Sequence, residues 1–142
     1  MSKLTVLVSL GVVGFLSVAV LRGSADDKPP AKERVFEMRT YIAAPGKLDD
    51  LNARFRDHTN KLFKKHGMEL IGYWTPTADP AAKNTLIYIL AYPSKDVADK
   101  AWKAFRDDPE WKKVVQETEA NGKLVEKVES VYMKPTDYSP IK

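Results

Sequence analysis

Four short stretches of this chain are predicted to be β-strands, the first because its side chains alternate with a period of two. The stretches cover residues 35–42, 68–75, 85–92 and 124–133. In the third, Ile87 and Ile89 form one alternate set, and the other set holds Leu86, Tyr88, Leu90 and Tyr92. Neither set is polar, so this strand is predicted to be covered on both faces of its sheet.

Between the first two strands, apolar residues recur at intervals of three, four and seven, which predicts an amphipathic helix from Lys47 to His66. Its apolar positions are Leu48, Leu51, Phe55, Leu62 and Phe63, with His58 on or beside the same arc. Gly67 follows as a left-handed cap, the usual role of a glycine at the end of a helix.

A second helical region follows the third strand, with Ser94 as its predicted N-cap. Its buried stripe is predicted to be Val97, Ala98, Ala101 and Phe105, with Trp102 at the edge of the stripe. Asp108-Pro109 interrupts the helix, because the residue before proline resists the α conformation, and Asp108 then caps a new helix. The order of elements is therefore β-α-β-β-α-β, an α+β ferredoxin-like arrangement: a four-stranded antiparallel sheet with its helices on one face.

The first strand predicts where a pocket lies. Phe36, Met38 and Ile42 form its more apolar set and are expected to face the helices. The opposite set, Glu37, Arg39 and Tyr41, is then expected on the other face of the sheet. Since a bare apolar sheet face marks an interaction surface, we expect two copies to pair over it and to enclose a pocket. There Arg39 either pairs with Glu37 or another carboxylate, or binds an anionic ligand.

The N-terminus has the pattern of a Sec-type export signal. Lys3 is followed by an apolar run from Leu4 to Leu21, and small residues precede a predicted cleavage after Ala25. This divides the chain into a signal peptide (1–25), a polar flexible spacer (26–34) and one globular domain (35–142), in a protein of the periplasm or extracellular space. The alternative is an uncleaved membrane anchor, since about 18 apolar residues is near the lower limit for spanning a bilayer.

Composition excludes several kinds of chemistry. The chain has no cysteine, so it has no thiol nucleophile and no disulfide. Its two histidines, His58 and His66, are eight residues apart and form no metal-binding pattern, and no catalytic triad or phosphate-loop motif is present. Lys3 and Arg22 belong to the signal, so the formal charge of +4 falls to +2 after cleavage. Acidic residues separate the basic ones, so we predict no nucleic-acid binding.

Five groups of residues resemble the NIPSNAP family, and together they run through most of the domain. They are Glu37–Tyr41 with Pro45–Lys47, His58–Thr59 with His66–Gly67, Gly72–Trp74, Trp102–Phe105 with Asp107–Trp111, and Lys134–Pro140. The resemblance implies a dimeric α+β barrel. Members of this family in eukaryotes are linked to mitochondria, vesicle traffic and autophagy, but a secretory leader is unlike a mitochondrial transit peptide, so those roles are not expected here.

The sequence therefore predicts an exported homodimer that binds a small hydrophobic or planar ligand, or a partner protein, in a pocket at the sheet. The candidate pocket residues are Glu37, Arg39, Tyr41, His58, Tyr73, Trp74, Tyr88 and Trp102. Neither catalytic residues nor a metal are predicted, and the sequence favours a binding role over an enzymatic one. One alternative is a monooxygenase-like or haem-binding enzyme that uses His58, Arg39 and Tyr41. Another is a scaffold tethered to the membrane by its leader.

Overall fold

The computed structural model describes residues 34–142, so the predicted signal peptide and almost all of the spacer lie outside the described residues. The strands are β1 (Val35–Ala43), β2 (Glu69–Trp74), β3 (Thr85–Tyr92) and β4 (Val125–Met133). The helices are α1 (Leu48–Arg54), α2 (Asn60–Lys65), α3 (Lys95–Asp107) and α4 (Pro109–Thr118), with a 3₁₀ turn at Ala81–Lys83. All four strands and both helical regions predicted from the sequence are present.

The strands form one antiparallel sheet in the order β2-β3-β1-β4. The core lies between this sheet and the helices, and it includes Leu51, Phe63, Tyr88, Leu90 and Phe105. One alternate set of β3 packs in this core, and the other, Ile87 and Ile89, is half-buried on the opposite side of the sheet. The ferredoxin-like α+β prediction is confirmed.

Between α1 and α2 the chain forms a π-helical segment, Phe55–Thr59. The longer hydrogen-bonded turn of a π-helix shifts the side chains that follow it relative to an ideal α-helix. Thr59 is buried here, and its hydroxyl donates to the backbone oxygen of Arg54. His58 is exposed, so of its two predicted places, on the apolar arc or beside it, the first is wrong.

The break between α3 and α4 follows the prediction. Ser94 Oγ accepts from the backbone N–H of Val97 at the start of α3, and Asp108 Oδ1 accepts from Glu110 N at the start of α4. The second oxygen of Asp108 lies 2.7 Å from His66 Nε2 and 2.9 Å from Lys65 Nζ. Asp108 therefore caps α4 and also ties it to the end of α2.

The prediction for the two faces of β1 is wrong. Glu37, Arg39 and Tyr41 lie on the helix side of the sheet, where Glu37 accepts a hydrogen bond from Trp102 of α3. Their apolar neighbours Phe36 and Met38 lie on the other side, which we call the open face. The prediction assumed that the polar set of β1 points away from the helices. It failed because an ion pair can be buried beneath a helix when hydrogen bonds satisfy its polar atoms.

The open face is only partly covered. Residues from 133 to 141 lie at one end of it and border an open apolar cavity of about 300 Å³, together with Phe36, Ile71 and Ile89. Beyond the reach of this tail, Val131 is 50% exposed. The chain's own C-terminus therefore covers part of the face that the sequence assigned to a second copy.

Candidate functional site

A carboxylate on the central strand β1 organises the helix side of the sheet. The side chain of Glu37 is 1% exposed. Its Oε1 accepts from Arg39 Nη1 at 2.7 Å and from Ser130 Oγ at 2.6 Å. Its Oε2 accepts from Tyr92 Oη at 2.8 Å and from Trp102 Nε1 at 2.6 Å. Four donors from β1, β3, β4 and α3 thus converge on one carboxylate and occupy both of its oxygens.

These bonds decide the charge of Glu37. Burial raises the pKa of this carboxyl, but the hydrogen bonds from Ser130, Trp102 and Arg39 together outweigh burial and hold its pKa below the ordinary value. The carboxylate therefore stays ionised at neutral pH. Since its oxygens are already occupied, it is poorly placed to take a proton from a substrate, and its chemistry is to hold Arg39 in position.

Arg39 lies between this carboxylate and the aromatic side chains. Its guanidinium carbon is 4.2 Å from the ring centroid of Trp102 and 5.5 Å from that of Tyr41, both in cation–π range. Nε of Arg39 is buried and has no hydrogen-bond partner among the described residues. The guanidinium of Arg39 is thus held by its ion pair with Glu37, while its Nε–H group has no hydrogen bond.

This pair lies in a groove between α3 and the β1–β4 half of the sheet, which we call the α3 groove. It has a volume of about 610 Å³, within the range of small-molecule sites. The lining residues are Glu37, Arg39, Lys95, Asp99, Trp102, Lys103, Arg106, Ser130 and Tyr132. Four of these side chains are cationic and two are carboxylates, so the groove has a net positive charge.

Three of the predicted pocket residues lie outside the groove, in an aromatic cluster. Tyr41, Tyr73 and Tyr88 belong to one aromatic cluster, in which Tyr73 stacks on Tyr88 with ring centroids 5.5 Å apart. Burial raises the pKa of Tyr88, and its hydroxyl has no hydrogen bond within residues 34–142. None of these rings lines the α3 groove, and Tyr73 lines a separate cleft with Phe55 and Asn60.

The other two predicted residues lie elsewhere. His58 lines a separate polar cleft of about 300 Å³ with Arg54 and Asp57. Trp74 lies on the open face, where its ring covers Gly72 so closely that an added Cβ would lie 2.6 Å from its Cη2. Of the eight candidates, only Glu37, Arg39 and Trp102 meet in the α3 groove.

The sequence analysis missed several members of this site. Tyr92 shares an alternate set of β3 with Tyr88, and that pattern was a usable signal. Ser130, Lys95 and Arg106 carry no local signal, because a serine on an edge strand and basic residues on a helix are ordinary surface features. The role of Ser130 depends on the register of β4 against β1, which pairs it with Arg39. The roles of Lys95 and Arg106 depend on the packing of α3 beside the sheet.

The described part of the chain contains no group of three or more histidine, aspartate or glutamate side chains placed to hold a metal ion. No helix in this part is long and apolar enough to cross a bilayer.

A four-stranded antiparallel sheet with helices on one face, and a charged groove beneath a helix, define an α+β protein of the ferredoxin-like type. Residues 36–140 match the family model described as NIPSNAP, so the chain belongs to the NIPSNAP family. A comparison with curated proteins gives no match.

Solved structures agree with this membership. One is a NIPSNAP family protein of unknown function from Agrobacterium tumefaciens, with 26% identity and a TM-score of 0.68; the match covers 78% of this chain and 96% of that one. A NIPSNAP-like domain protein from Burkholderia xenovorans has 18% identity and a TM-score of 0.66, over 78% and 91% of the two chains. SnoaB, a cofactor-independent oxygenase from Streptomyces nogalater, has 11% identity and a TM-score of 0.50, over 76% and 98%. The likeness to SnoaB shows the fold alone.

Proposed function

We propose that this protein is an exported, homodimeric binding protein that holds a small ligand in the α3 groove. One observation carries the proposal: the guanidinium of Arg39 is fixed by Glu37 and Trp102 at the groove, and its buried Nε remains unpartnered. A buried donor without a partner costs free energy. A ligand acceptor in the groove would remove that cost, which is why this site is favoured over a pocket on the open face.

Binding is favoured over catalysis for this groove. The only carboxylate deep in it, Glu37, already accepts four hydrogen bonds and has a lowered pKa. General acid–base catalysis needs a group that can exchange its proton near working pH. Glu37 does not meet that requirement, and neither histidine lines the groove.

The homodimer is the second part of the proposal. Met38, Ile87 and Ile89 are half-buried on the open face, and Val131 and Trp74 are about half exposed there. Apolar residues grouped in this way on a sheet face favour burial against another protein surface. A second copy would cover the part of the face that the C-terminal tail leaves bare.

Export is the third part. It rests on the N-terminal pattern of the sequence. Mass spectrometry of the exported protein checks it directly: a terminus at Asp26 supports cleavage, and an intact leader favours the membrane-tethered scaffold instead.

Native mass spectrometry of protein purified from an exporting host, with no ligand added, tests binding. We expect a dimer that retains a small molecule, which Arg39→Gln loses and Arg56→Gln keeps. Arg56 is an exposed arginine of the π-helical segment and is the matched control. Arg106→Gln provides a second test at the groove in case Arg39→Gln does not fold. If both groove variants retain the molecule as well as wild type does, the α3 groove is not the binding site.

The haem-binding alternative has a separate test. Haem is added to the purified protein and the Soret region is recorded for wild type and His58→Ala. A Soret band that requires His58 would move the site to the cleft between α1 and α4 and contradict the proposal.

A further inference from the structure

We infer that the ligand of the α3 groove is a small organic carboxylate, bound through the free N–H groups of Arg39. This inference rests on the proposed function and names the chemical class of its ligand. It follows from counting which hydrogen-bonding groups of the groove are already used.

The acceptors of the groove are used. Both oxygens of Glu37 are occupied by four donors, and a carboxylate offers about four lone-pair positions. Asp99, the other carboxylate, lies exposed at the rim, where its pair with Lys95 is weak and where it does not reach the depth of the groove. A ligand rich in donors, such as an amine, therefore finds no free carboxylate oxygen deep in the groove.

Several donors of the groove have no strong partner. The only hydrogen bond of the Arg39 guanidinium within residues 34–142 runs from Nη1 to Glu37, which leaves Nε and Nη2 without one. Arg106 forms no hydrogen bond or ion pair with any described residue. Lys103 pairs with Asp107 one helical turn away, but both side chains are exposed, and such pairs are weak. The donors that lack a strong partner thus include N–H groups of the cations Arg39, Arg106 and Lys103.

The free N–H groups of Arg39 suit a carboxylate in particular. Nε and Nη2 lie on one edge of the planar guanidinium, and two parallel bonds from such an edge match the two oxygens of a carboxylate. Glu37 holds the opposite part of the group, and Trp102 packs against its face, so the edge is fixed in advance of binding.

The size of the groove points to an organic acid rather than a bare ion. About 610 Å³ is far more space than a single inorganic anion fills. Part of the wall is the ring of Tyr132, with Lys95 Nζ 4.6 Å from its centroid. The body of an acid can lie along this ring, while the exposed cations Lys103 and Arg106 attract its charge from outside.

Amide NMR titration of the full exported protein tests the inference. The probes are benzoate, phenylacetate and hexanoate, each with its neutral amide, and inorganic phosphate. We expect at least one acid to shift the indole N–H signal of Trp102 and signals of α3, at least tenfold more tightly than its amide. Binding should weaken as salt is raised. Arg39→Lys keeps the charge but loses the two parallel N–H groups of the guanidinium, and it should weaken binding about tenfold. Arg106→Gln should weaken binding a few-fold, and the control Arg56→Gln should leave it unchanged.

The outcomes separate the two proposals. If the amides bind the groove as well as the acids, the carboxylate class is wrong although the groove still binds ligand. If phosphate binds as tightly as the best acid, the site is a general anion site and the inference fails. If no acid shifts the groove signals, the inference is overturned. The proposed function is refuted only if Arg39→Gln and Arg106→Gln also retain the small molecule in native mass spectrometry as well as wild type does.

Discussion

The indole N–H of Trp102 donates to Oε2 of Glu37 at 2.6 Å, and this bond joins helix α3 to the central strand β1. Trp102 is 7% exposed, so the bond is shielded from water and is stronger than it would be at the surface. The same carboxylate holds Arg39, and therefore the packing of α3 and the position of the groove cation depend on one charge.

Replacing that charge is expected to be costly. Glu37→Gln should lower the free energy of unfolding by roughly 3–5 kcal/mol, because it leaves Arg39 buried without its counter-ion and turns an amide NH₂ toward other donors. Urea unfolding followed by fluorescence measures the change. Glu129→Gln is the control, since Glu129 is exposed and pairs with the exposed Lys127; its effect should stay within about 0.5 kcal/mol. Equal effects of the two variants would contradict this role for Glu37.

Stability should fall in acid, and Glu37 should contribute to the fall. Its pKa is lower in the folded protein than the ordinary value of 4.5. Below about pH 4.5 the unfolded chain therefore takes up this proton while the folded protein does not, and the equilibrium moves toward unfolding. The stabilisation is complete above that pH and is lost as the pH falls toward the folded pKa. Urea midpoints at pH 7, 5, 4 and 3 measure the slope, which Glu37→Gln should reduce.

Two tyrosines on the same face of β3 should respond in opposite directions. Tyr88→Phe removes a buried hydroxyl that has no partner in residues 34–142, so it should leave stability unchanged or raise it by about 1 kcal/mol. Tyr92→Phe removes a donor to charged Glu37 and should lower stability by roughly 1.5–3 kcal/mol. Thermal and urea unfolding of both variants gives the comparison. A loss at Tyr88 as large as that at Tyr92 would show that the Tyr88 hydroxyl has a partner.

Asp108 should matter both as a cap and as a charge. Lys65, His66 and the backbone N–H of Glu110 hold the pKa of this carboxyl well below its usual range. Asp108→Asn keeps a good N-cap but loses the charge, and Asp108→Ala loses both. We expect the melting temperature to fall in the order Asp107→Asn, Asp108→Asn, Asp108→Ala, with Asp107→Asn, at an exposed neighbour, close to wild type. A wild-type melting temperature for Asp108→Ala would contradict the link between α2 and α4.

Two valines of β4 test the proposed dimer. Val131 lies on the open face and is 50% exposed, whereas Val128 faces the helix side at the sheet edge and is 42% exposed. If two copies pair over the open face, Val131→Glu should convert the dimer to a monomer, because it would bury an unpaired charge. Val128→Glu should leave the dimer intact. Light scattering after size exclusion measures the mass of each, and a wild-type monomer would end the proposal for a dimer.

Local patterns were enough to predict the elements of this protein. The apolar strand Thr85–Tyr92, the caps at Ser94 and Asp108, and the left-handed Gly67, with φ of 75°, depend on a few adjacent residues and appear as predicted. The π-helical segment and the exposure of His58 did not follow from the pattern, because an apolar interval of seven fits an α-helix equally well.

The site was decided by tertiary structure. The sequence alone determined the βαββαβ order, the NIPSNAP family and the presence of Glu37 and Arg39 on one face of a strand. Which face that was depended on Trp102, Tyr92 and Ser130, which are distant in sequence and meet Glu37 only when β3, β4 and α3 pack around β1. Polarity alone predicts that a carboxylate is exposed to solvent. A carboxylate can be buried when enough donors bind it, and only the folded chain brings those donors together.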